Sequence, residues 1–230
     1  MGSDSGANRG GQEILRVFHS RKETRAFYDK ISRVYDLLAE RSEEPVRSAG
    51  LAKLQALPGE KILEIGFGTG HCLAALAAAT APGGRAYGID LSEGMLRTAM
   101  QYLQRQASGA PVELICGDAS RLPFPAAVLD GIFMSFTLEL FDSPEIPTVL
   151  AECRQALRPG GRIVVVGMSK EGQASAMVHA FEWTHRHFPN FLDCRPIFVR
   201  RALETAGFRI ADTEIQSMWV PVEIVLATVA

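Results

Sequence analysis

Hydrophobic and polar positions divide the chain into two kinds of segment. Short runs of β-branched and other apolar residues, bounded by glycine, proline or acidic residues, predict buried strands. Longer stretches in which apolar residues recur every three or four positions predict amphipathic helices. The predicted strands are residues 62–65, 86–90, 112–119, 128–136, 163–166, 208–216 and 219–228. The predicted helices are residues 16–38 (one helix or two), 43–57, 73–79, a helix opening at 91–96, 144–157, 175–188 and 196–206.

The order of these elements predicts an α/β protein. Strands and helices alternate through the middle of the chain, which is typical of a parallel sheet with helices on both faces. The last two strands follow each other directly, so we expect a closing antiparallel pair. The pattern therefore predicts a Rossmann-like, doubly wound sheet of seven strands with a final antiparallel strand, preceded by an N-terminal helical cap.

Punctuating residues indicate where several helices begin and end. Pro58 and Gly59 should end the helix over 43–57. Ser143 is placed to cap the helix over 144–157, with Pro144 at its first position, where the missing N–H costs nothing. Residues 158–162 (Arg-Pro-Gly-Gly-Arg) predict a turn before the fifth strand. Gly207 should end the helix over 196–206.

Composition narrows the class of protein. The 230 residues are 47% hydrophobic and 22% charged, ordinary values for a globular domain, and the net charge of −2 does not favour a non-specific nucleic-acid binder. The four cysteines are scattered without metal-site spacing, which favours reduced thiols and no metal. No apolar run is long enough for a membrane span, and residues 1–12 lack the apolar core of a signal peptide. We therefore expect a cytoplasmic protein without nucleic-acid partners, although peripheral membrane contact stays open.

A glycine turn follows the first predicted strand of the sheet. Gly66, Gly68 and Gly70 alternate there, and Glu64 precedes them at the end of the strand. Glycine allows a tight turn and a close backbone approach to a ligand. The third glycine of a dinucleotide fingerprint would fall at His71, and the Glu64 carboxylate would repel a pyrophosphate. The turn is better suited to a cationic or zwitterionic ligand.

Two further strands also end in carboxylates. Asp90 closes the second strand, where a carboxylate can accept hydrogen bonds from ribose hydroxyls, and Ser92 is placed to cap the next helix. Asp118 closes the third strand within Gly-Asp-Ala. Because parallel strands present their carboxyl ends at one edge of a sheet, these groups should line one cleft.

These motifs resemble those of a known family. The stretch from Glu64 to Gly70 resembles the first motif of class I S-adenosylmethionine (SAM) methyltransferases, and Gly-Asp-Ala at 117–119 resembles their adenine-contacting motif. The order Gly-Asp-Ala, Leu-Pro-Phe, Leu-Asp-Gly-Ile over 117–132 and the aromatic-plus-Asp pattern over 27–38 are similar to the ubiquinone/menaquinone-biosynthesis methyltransferases. The resemblance is specific over roughly 27–170.

The resemblance implies SAM as the cofactor and a set of residues around it. Asp118 would accept a hydrogen bond from the adenine amine, and the Ala119 amide would donate one to the ring. Tyr28 and Tyr35 would lie over the methionine end, where aromatic faces attract a sulfonium. The full set of expected cofactor residues is Glu64, Gly66, Gly68, Gly70, Asp90, Leu91, Met95, Asp118, Ala119, Ser135, Tyr28 and Tyr35.

The resemblance also implies a domain organisation. Residues 1–12 would be a disordered leader, and 13–230 a single methyltransferase domain. Within it, 13–57 would form the helical cap, 58–170 the SAM-binding core, and 171–230 the acceptor insert and closing strands. The aromatic-rich stretch 169–195 is the expected acceptor wall.

The implied reaction is methyl transfer to a small-molecule acceptor, favoured as a phenol or quinol. Such an acceptor must lose a proton, so a base is needed. The catalytic residue is left unassigned, and the weak candidates for the base are His179, His185 and Glu139, with His19, Asp142 and His187 behind them.

Alternatives stay open at this stage. C-, O- and N-methylation are not separated, and neither is the oligomeric state. An NAD(P)-dependent oxidoreductase is the second hypothesis, against which Glu64 and His71 argue. A non-catalytic SAM-binding regulatory protein is the third.

Overall fold

A computed structural model describes residues 40–106, 109–170, 195–218 and 220–230. The helices predicted over 16–38 and 175–188 lie outside these ranges. The described helices are α1 (Glu40–Leu54), α2 (His71–Thr80), α3 (Glu93–Gln106), α4 (Ile146–Ala156) and α5 (Val199–Thr205), with a 3-10 helix at Leu138–Leu140. The strands are β1 (Lys61–Ile65), β2 (Arg85–Asp90), β3 (Val112–Cys116), β4 (Leu129–Ser135), β5 (Leu157–Met168), β6 (Arg209–Ser217) and β7 (Pro221–Thr228).

The seven strands form one mixed sheet in the order β3-β2-β1-β4-β5-β7-β6. Strands β1 to β5 are parallel, and β7 runs antiparallel to both β5 and β6. The predicted α/β class, seven-stranded sheet and closing antiparallel strand are therefore confirmed. Helix α1 precedes the sheet, as the N-terminal helical cap requires.

The central strands are buried on both faces because helices cover the sheet on either side. Leu63 and Ile65 of β1 belong to one apolar cluster, whereas Ile62 belongs to the cluster on the opposite face, which also contains Val46 and Leu54 of α1. Side chains alternate along a strand, so Glu64 points to the same face as Ile62. This register turns the Glu64 carboxylate toward α1.

Helices α1 and α5 have different ends from those predicted. Helix α1 covers Glu40–Leu54 rather than 43–57, because Gln55 takes a left-handed conformation (φ 51°) that ends the helix before Pro58. Helix α5 begins at Val199 rather than at residue 196. Its first amide, from Val199, donates a hydrogen bond of 3.1 Å to Glu223 of β7, which fixes the start of the helix.

The segment around β5 also corrects the predictions. Helix α4 begins at Ile146 with Glu145 as its cap residue, so the assignment of Ser143 as N-cap with Pro144 in the first position was wrong. The Ser143 hydroxyl instead accepts a hydrogen bond from Arg195 (3.2 Å). The predicted turn over 158–162 lies within β5, whose pairing with β4 shifts register there. Strand β3 ends at Cys116, so 117–119 follow the strand.

Candidate active site

A cleft lies at the carboxyl ends of the parallel strands. From β1, the chain turns to β2 and β3 on one side, whereas β4 and β5 lie on the other, so the strand order reverses between β1 and β4. In doubly wound sheets ligands bind at this reversal. The cleft is lined by residues that follow β1, β2, β3 and β4, and by one face of α1.

The three glycines of the turn after β1 serve different purposes. All have positive φ, which favours glycine. A Cβ on Gly66 would lie 2.2 Å from Thr137 Oγ1, and one on Gly70 would lie 3.0 Å from Ala99 Cβ. A Cβ on Gly68 would meet no atom within 4 Å and Gly68 lines the cleft. Gly66 and Gly70 therefore allow close packing, whereas Gly68 leaves space for a ligand.

The carboxylates after β2 and β3 shape the loops that carry them. The Asp90 Oδ2 accepts a hydrogen bond from the Gly68 amide (3.0 Å), and its Oδ1 accepts one from the Ser92 amide (2.9 Å). Asp118 Oδ1 accepts one from the Ser120 amide (2.8 Å). Both carboxylate residues also line the cleft. Ser92 Oγ accepts a hydrogen bond from the Met95 amide (3.0 Å), which confirms Ser92 as the cap of α3.

Glu64 is a buried carboxylate that faces the cleft. Its residue is 3% exposed, and its Oε2 has no hydrogen-bond partner within the described part of the chain. Burial raises the pKa of Glu64 well above its usual range, and the nearby Arg47 counteracts this in part. Ser135 Oγ, at the end of β4, is likewise buried without a partner among the described residues and lines the cleft. Both atoms offer hydrogen-bonding capacity to a ligand.

Helix α1 contributes two charged side chains to the cleft, which the sequence did not predict. Glu43 and Arg47 lie one helical turn apart, with carboxylate and guanidinium 3.8 Å from each other, and both line the cleft. Burial raises the pKa of Glu43, and Arg47 opposes that rise. The i,i+4 spacing of opposite charges was visible in the sequence, but nothing local showed that this face of the helix meets β1.

The structure brings most of the predicted cofactor residues together. Glu64, Gly66, Gly68, Asp90, Leu91, Met95, Asp118, Ala119 and Ser135 line the cleft. Gly70 does not, because it packs against Ala99. The predicted Tyr28 and Tyr35 lie outside the described residues.

Only part of the predicted base set falls within the described ranges. His179 and His185 lie outside them, as do His19 and His187. Glu139 is described, but the structure does not place it at the cleft: it is fully buried, and its Oε1 accepts a hydrogen bond from the Met168 amide (3.1 Å). Burial raises the pKa of Glu139 to about 7. Asp142, by contrast, lines the cleft.

Other lining residues had no motif to indicate them. The His71 ring, at the start of α2, lies 3.9 Å from the Tyr102 ring, centroid to centroid. Phe136 and Glu145 line the side that follows β4. Since these positions are ordinary helix or loop residues in sequence, only the tertiary fold assigns them to the cleft.

The described residues contain neither a metal-binding cluster nor a membrane-spanning helix. No cluster of three or more His, Cys, Asp and Glu residues in the described ranges has the arrangement to hold a metal ion. None of the described helices combines the length and apolar character needed to cross a membrane.

Comparisons with known sequences agree with the geometry. Residues 62–161 match a family described as a methyltransferase domain. The demethylmenaquinone methyltransferase of Symbiobacterium thermophilum is 34% identical over 155 residues, which cover 64% of this chain and 59% of that protein. The ubiquinone/menaquinone biosynthesis C-methyltransferase UbiE of Burkholderia mallei is 32% identical over 163 residues, 71% of this chain and 63% of that protein. The chain thus spans about three fifths of the length of these relatives.

Solved structures share the fold at low sequence identity. The magnesium protoporphyrin IX methyltransferase of Synechocystis, with bound S-adenosylhomocysteine (SAH), superimposes with a TM-score of 0.72 at 19% identity, covering 92% of this chain and 100% of that one. The [4+2]-cyclase SpnF superimposes with a TM-score of 0.73 at 16% identity, covering 95% and 98%. Because one of these proteins is a cyclase, the fold alone does not identify the reaction.

Proposed function

We propose that the chain is a SAM-dependent methyltransferase that acts on a small molecule, because residues 62–161 match a family described as a methyltransferase domain. The observation that carries this proposal is the chemistry of the cleft beside β1. Glu64 presents an oxygen without a described partner, and Gly68 lines the same cleft with open space beside its Cα. A buried acceptor facing an open cleft needs a hydrogen-bond donor from a ligand. The ammonium of SAM is such a donor.

Charges at this end of the cleft fit the methionine part of SAM. Glu64 offers a carboxylate for the ammonium, and Arg47 brings a guanidinium suited to a carboxylate. The two groups are close enough that Arg47 lowers the pKa of Glu64. A zwitterionic amino acid therefore finds both of its charges matched. The pyrophosphate of a nicotinamide dinucleotide, by contrast, would be repelled by the Glu64 carboxylate.

The opposite end of the cleft fits adenosine. Asp90 follows β2 and retains acceptor capacity for the ribose hydroxyls, while Asp118 and Ala119 follow β3 and offer an acceptor and an amide to the adenine ring. The hydrogen bond from the Gly68 amide to Asp90 ties the glycine turn to the ribose position. The same bond thereby couples the two halves of the cofactor site.

SAM, when bound, supplies the reactive methyl group on a sulfonium. The chain's task is to orient the acceptor in line with that group and to exclude water. Phe136 and Phe141 give the side after β4 an apolar surface that suits both purposes. If the acceptor must lose a proton, Asp142 is the base candidate among the described residues that lines the cleft.

A phenol or quinol is the acceptor class that we propose. Two observations support it: the curated relatives are named for quinone biosynthesis, and apolar and aromatic residues line the side of the cleft after β4. The proposal includes a cytoplasmic location, with the quinol reached at a membrane surface if it is prenylated.

Calorimetric titration of the purified chain with SAM, SAH and NADH tests the proposal. We expect micromolar binding of SAM and SAH and none of NADH. Binding of NADH alone would overturn the assignment of the cofactor. A methylation assay with phenols and quinols, scored by mass spectrometry, then separates a methyltransferase from a SAM-binding protein that never turns over.

Asp90→Ala is the sharpest single change at the adenosine end. It removes the acceptor proposed for ribose and the hydrogen bonds to Gly68 and Ser92. We expect SAH binding to weaken by about 1–3 kcal/mol. Glu93→Ala, on the exposed first turn of α3, is the matched control and should leave the affinity unchanged. Equal affinity in a folded Asp90→Ala protein would contradict the ribose assignment.

A further inference from the structure

Arg195 is a fully buried cation behind the cleft, and the proposed mechanism does not use it. Its residue is 0% exposed. A buried charge is tolerated only where hydrogen bonds and counter-charge replace its hydration. The location of its hydrogen-bond partners therefore indicates what this side chain organises.

Four hydrogen bonds of the guanidinium go to one turn of the chain. Nη1 donates to the carbonyl oxygens of Glu139 (3.1 Å) and Phe141 (3.2 Å). Nη2 donates to the carbonyl of Phe141 (2.8 Å) and to Ser143 Oγ (3.2 Å). The planar guanidinium can reach all three oxygens at once because its donors point in fixed directions. We call residues 139–143 the post-β4 turn.

Both partners of this interaction are fixed to the end of β5. The Ile197 amide donates to the Met168 carbonyl (2.9 Å), and the Lys170 amide donates to the Ile197 carbonyl (3.0 Å), which holds the backbone next to Arg195. The Glu139 carboxylate accepts a hydrogen bond from the Met168 amide. The backbone next to Arg195 and the post-β4 turn are thus both hydrogen-bonded to Met168 at the end of β5.

The other face of the post-β4 turn forms part of the cleft. Leu140, Phe141 and Asp142 line it, whereas Arg195, which holds the Phe141 carbonyl and the Ser143 hydroxyl, does not. We propose that Arg195 is a positioning residue that holds the post-β4 turn from behind and so sets the wall of the cleft at the methyl end of SAM. The effect on the cofactor rests on the proposed function, whereas the effect on the turn does not.

Hydrogen–deuterium exchange of the ligand-free protein tests the structural half of this proposal. Arg195→Met keeps an unbranched side chain but removes every donor, and Arg195→Lys keeps the charge without the planar guanidinium. Arg162→Met is the matched control, because Arg162 also donates to backbone carbonyls (Leu54, 2.6 Å; Gln55, 2.8 Å; Asp130, 3.5 Å) but does not line the cleft. We expect faster exchange over 138–145 in both Arg195 variants and unchanged exchange there in Arg162→Met.

Calorimetry with SAH tests the functional half. Arg195→Met should weaken SAH binding about 10-fold, a loss of about 1.4 kcal/mol, because the unsupported wall no longer holds its position against the ligand. Arg195→Lys should lose less, and Arg162→Met should lose stability but keep the wild-type affinity. Equal losses of affinity in Arg195→Met and Arg162→Met would overturn the proposal by showing a general effect of instability.

Two outcomes separate this inference from the proposed function. If the wild-type chain binds no SAH, the proposed function fails, and accelerated exchange over 138–145 in the Arg195 variants still supports the positioning role. If SAH binds and exchange in that segment is unchanged in Arg195→Lys and in Ser143→Ala, the positioning role is wrong. Those two mild variants keep the test decisive should Arg195→Met fail to fold.

Discussion

The cleft and the protein interior behind it contain the same residue types, but these residues have different roles in the two regions. Glu64 and Glu139 are both buried carboxylates with one oxygen that lacks a described partner, but Glu64 faces the cleft and Glu139 faces the protein interior. Gly68 and Gly66 are two positions apart, but only Gly68 has free space beside its Cα. Burial and residue type therefore do not identify a ligand site by themselves. The direction in which each group faces decides its role.

The glycine pair should give the largest difference. Gly66→Ala places a Cβ 2.2 Å from Thr137 Oγ1 at a φ of +73°, so both overpacking and backbone strain oppose folding. We expect a loss of about 2–5 kcal/mol in the free energy of unfolding, measured by urea denaturation. Gly68→Ala carries the strain alone and should lose only about 1–2 kcal/mol.

Cofactor titration of the same two proteins sharpens the contrast. Gly68→Ala should lose SAH affinity out of proportion to its stability, because its methyl group enters the space kept for the ligand. Gly66→Ala, if enough of it folds, should bind SAH more nearly as the wild type does. The reverse order of affinities would show that the open space at Gly68 is not the cofactor position.

Glu139→Gln should give the next largest effect, on stability as a function of pH. Burial raises the folded-state pKa of Glu139 from 4.5 to about 7. The protonated form is therefore favoured by folding, and this stability is full below pH 4.5 and lost as pH rises to about 7. At about 1.4 kcal/mol per pH unit the loss amounts to at most about 3 kcal/mol.

The amide introduced by Glu139→Gln does not ionise, so the variant does not lose this part of the free energy of unfolding as the pH rises. The variant should therefore gain stability relative to wild type between pH 5 and pH 8 in denaturation series. A difference between the two proteins that stays constant over this range would show that Glu139 does not titrate there. SAH affinity should not change at pH 5, because Glu139 does not line the cleft.

The sequence predicted those parts of the molecule whose signals are local. An apolar strand such as β1, the glycine turn and the carboxylates at strand ends each lie within a few residues, and backbone preferences determine them. The predicted start of α4 at Pro144 was wrong because the Ser143 hydroxyl accepts a hydrogen bond from Arg195, 52 residues further along the chain, and does not cap the helix. Arg47 was missed for a related reason, since only the packing of α1 on the sheet brings it beside Glu64.

Glu64→Gln should change the free energy less than Gly66→Ala or Glu139→Gln, and it tests the comparison most directly. Burial raises the pKa of Glu64 well above its usual range in the ligand-free chain, which favours the protonated carboxyl. The ammonium of SAM favours the carboxylate, and binding should release that proton. Affinity should therefore rise with pH, and the heat of binding should depend on the buffer. Phosphate and Tris at pH 7 differ enough in ionisation enthalpy to measure the number of protons released.

The Glu64→Gln variant should bind SAM about 2 kcal/mol more weakly, the range for a hydrogen bond to a charged group, and should show no dependence on the buffer. Glu139→Gln is the matched control, since its carboxyl is equally buried but does not line the cleft. It should keep both the affinity and the proton release. The two substitutions are chemically identical, so a loss of affinity and of proton release in Glu64→Gln alone would assign both to the carboxyl that faces the cleft. If proton release persists in Glu64→Gln, the proton comes from another residue of the cleft. Glu43 on α1, whose pKa burial also raises, is the first candidate.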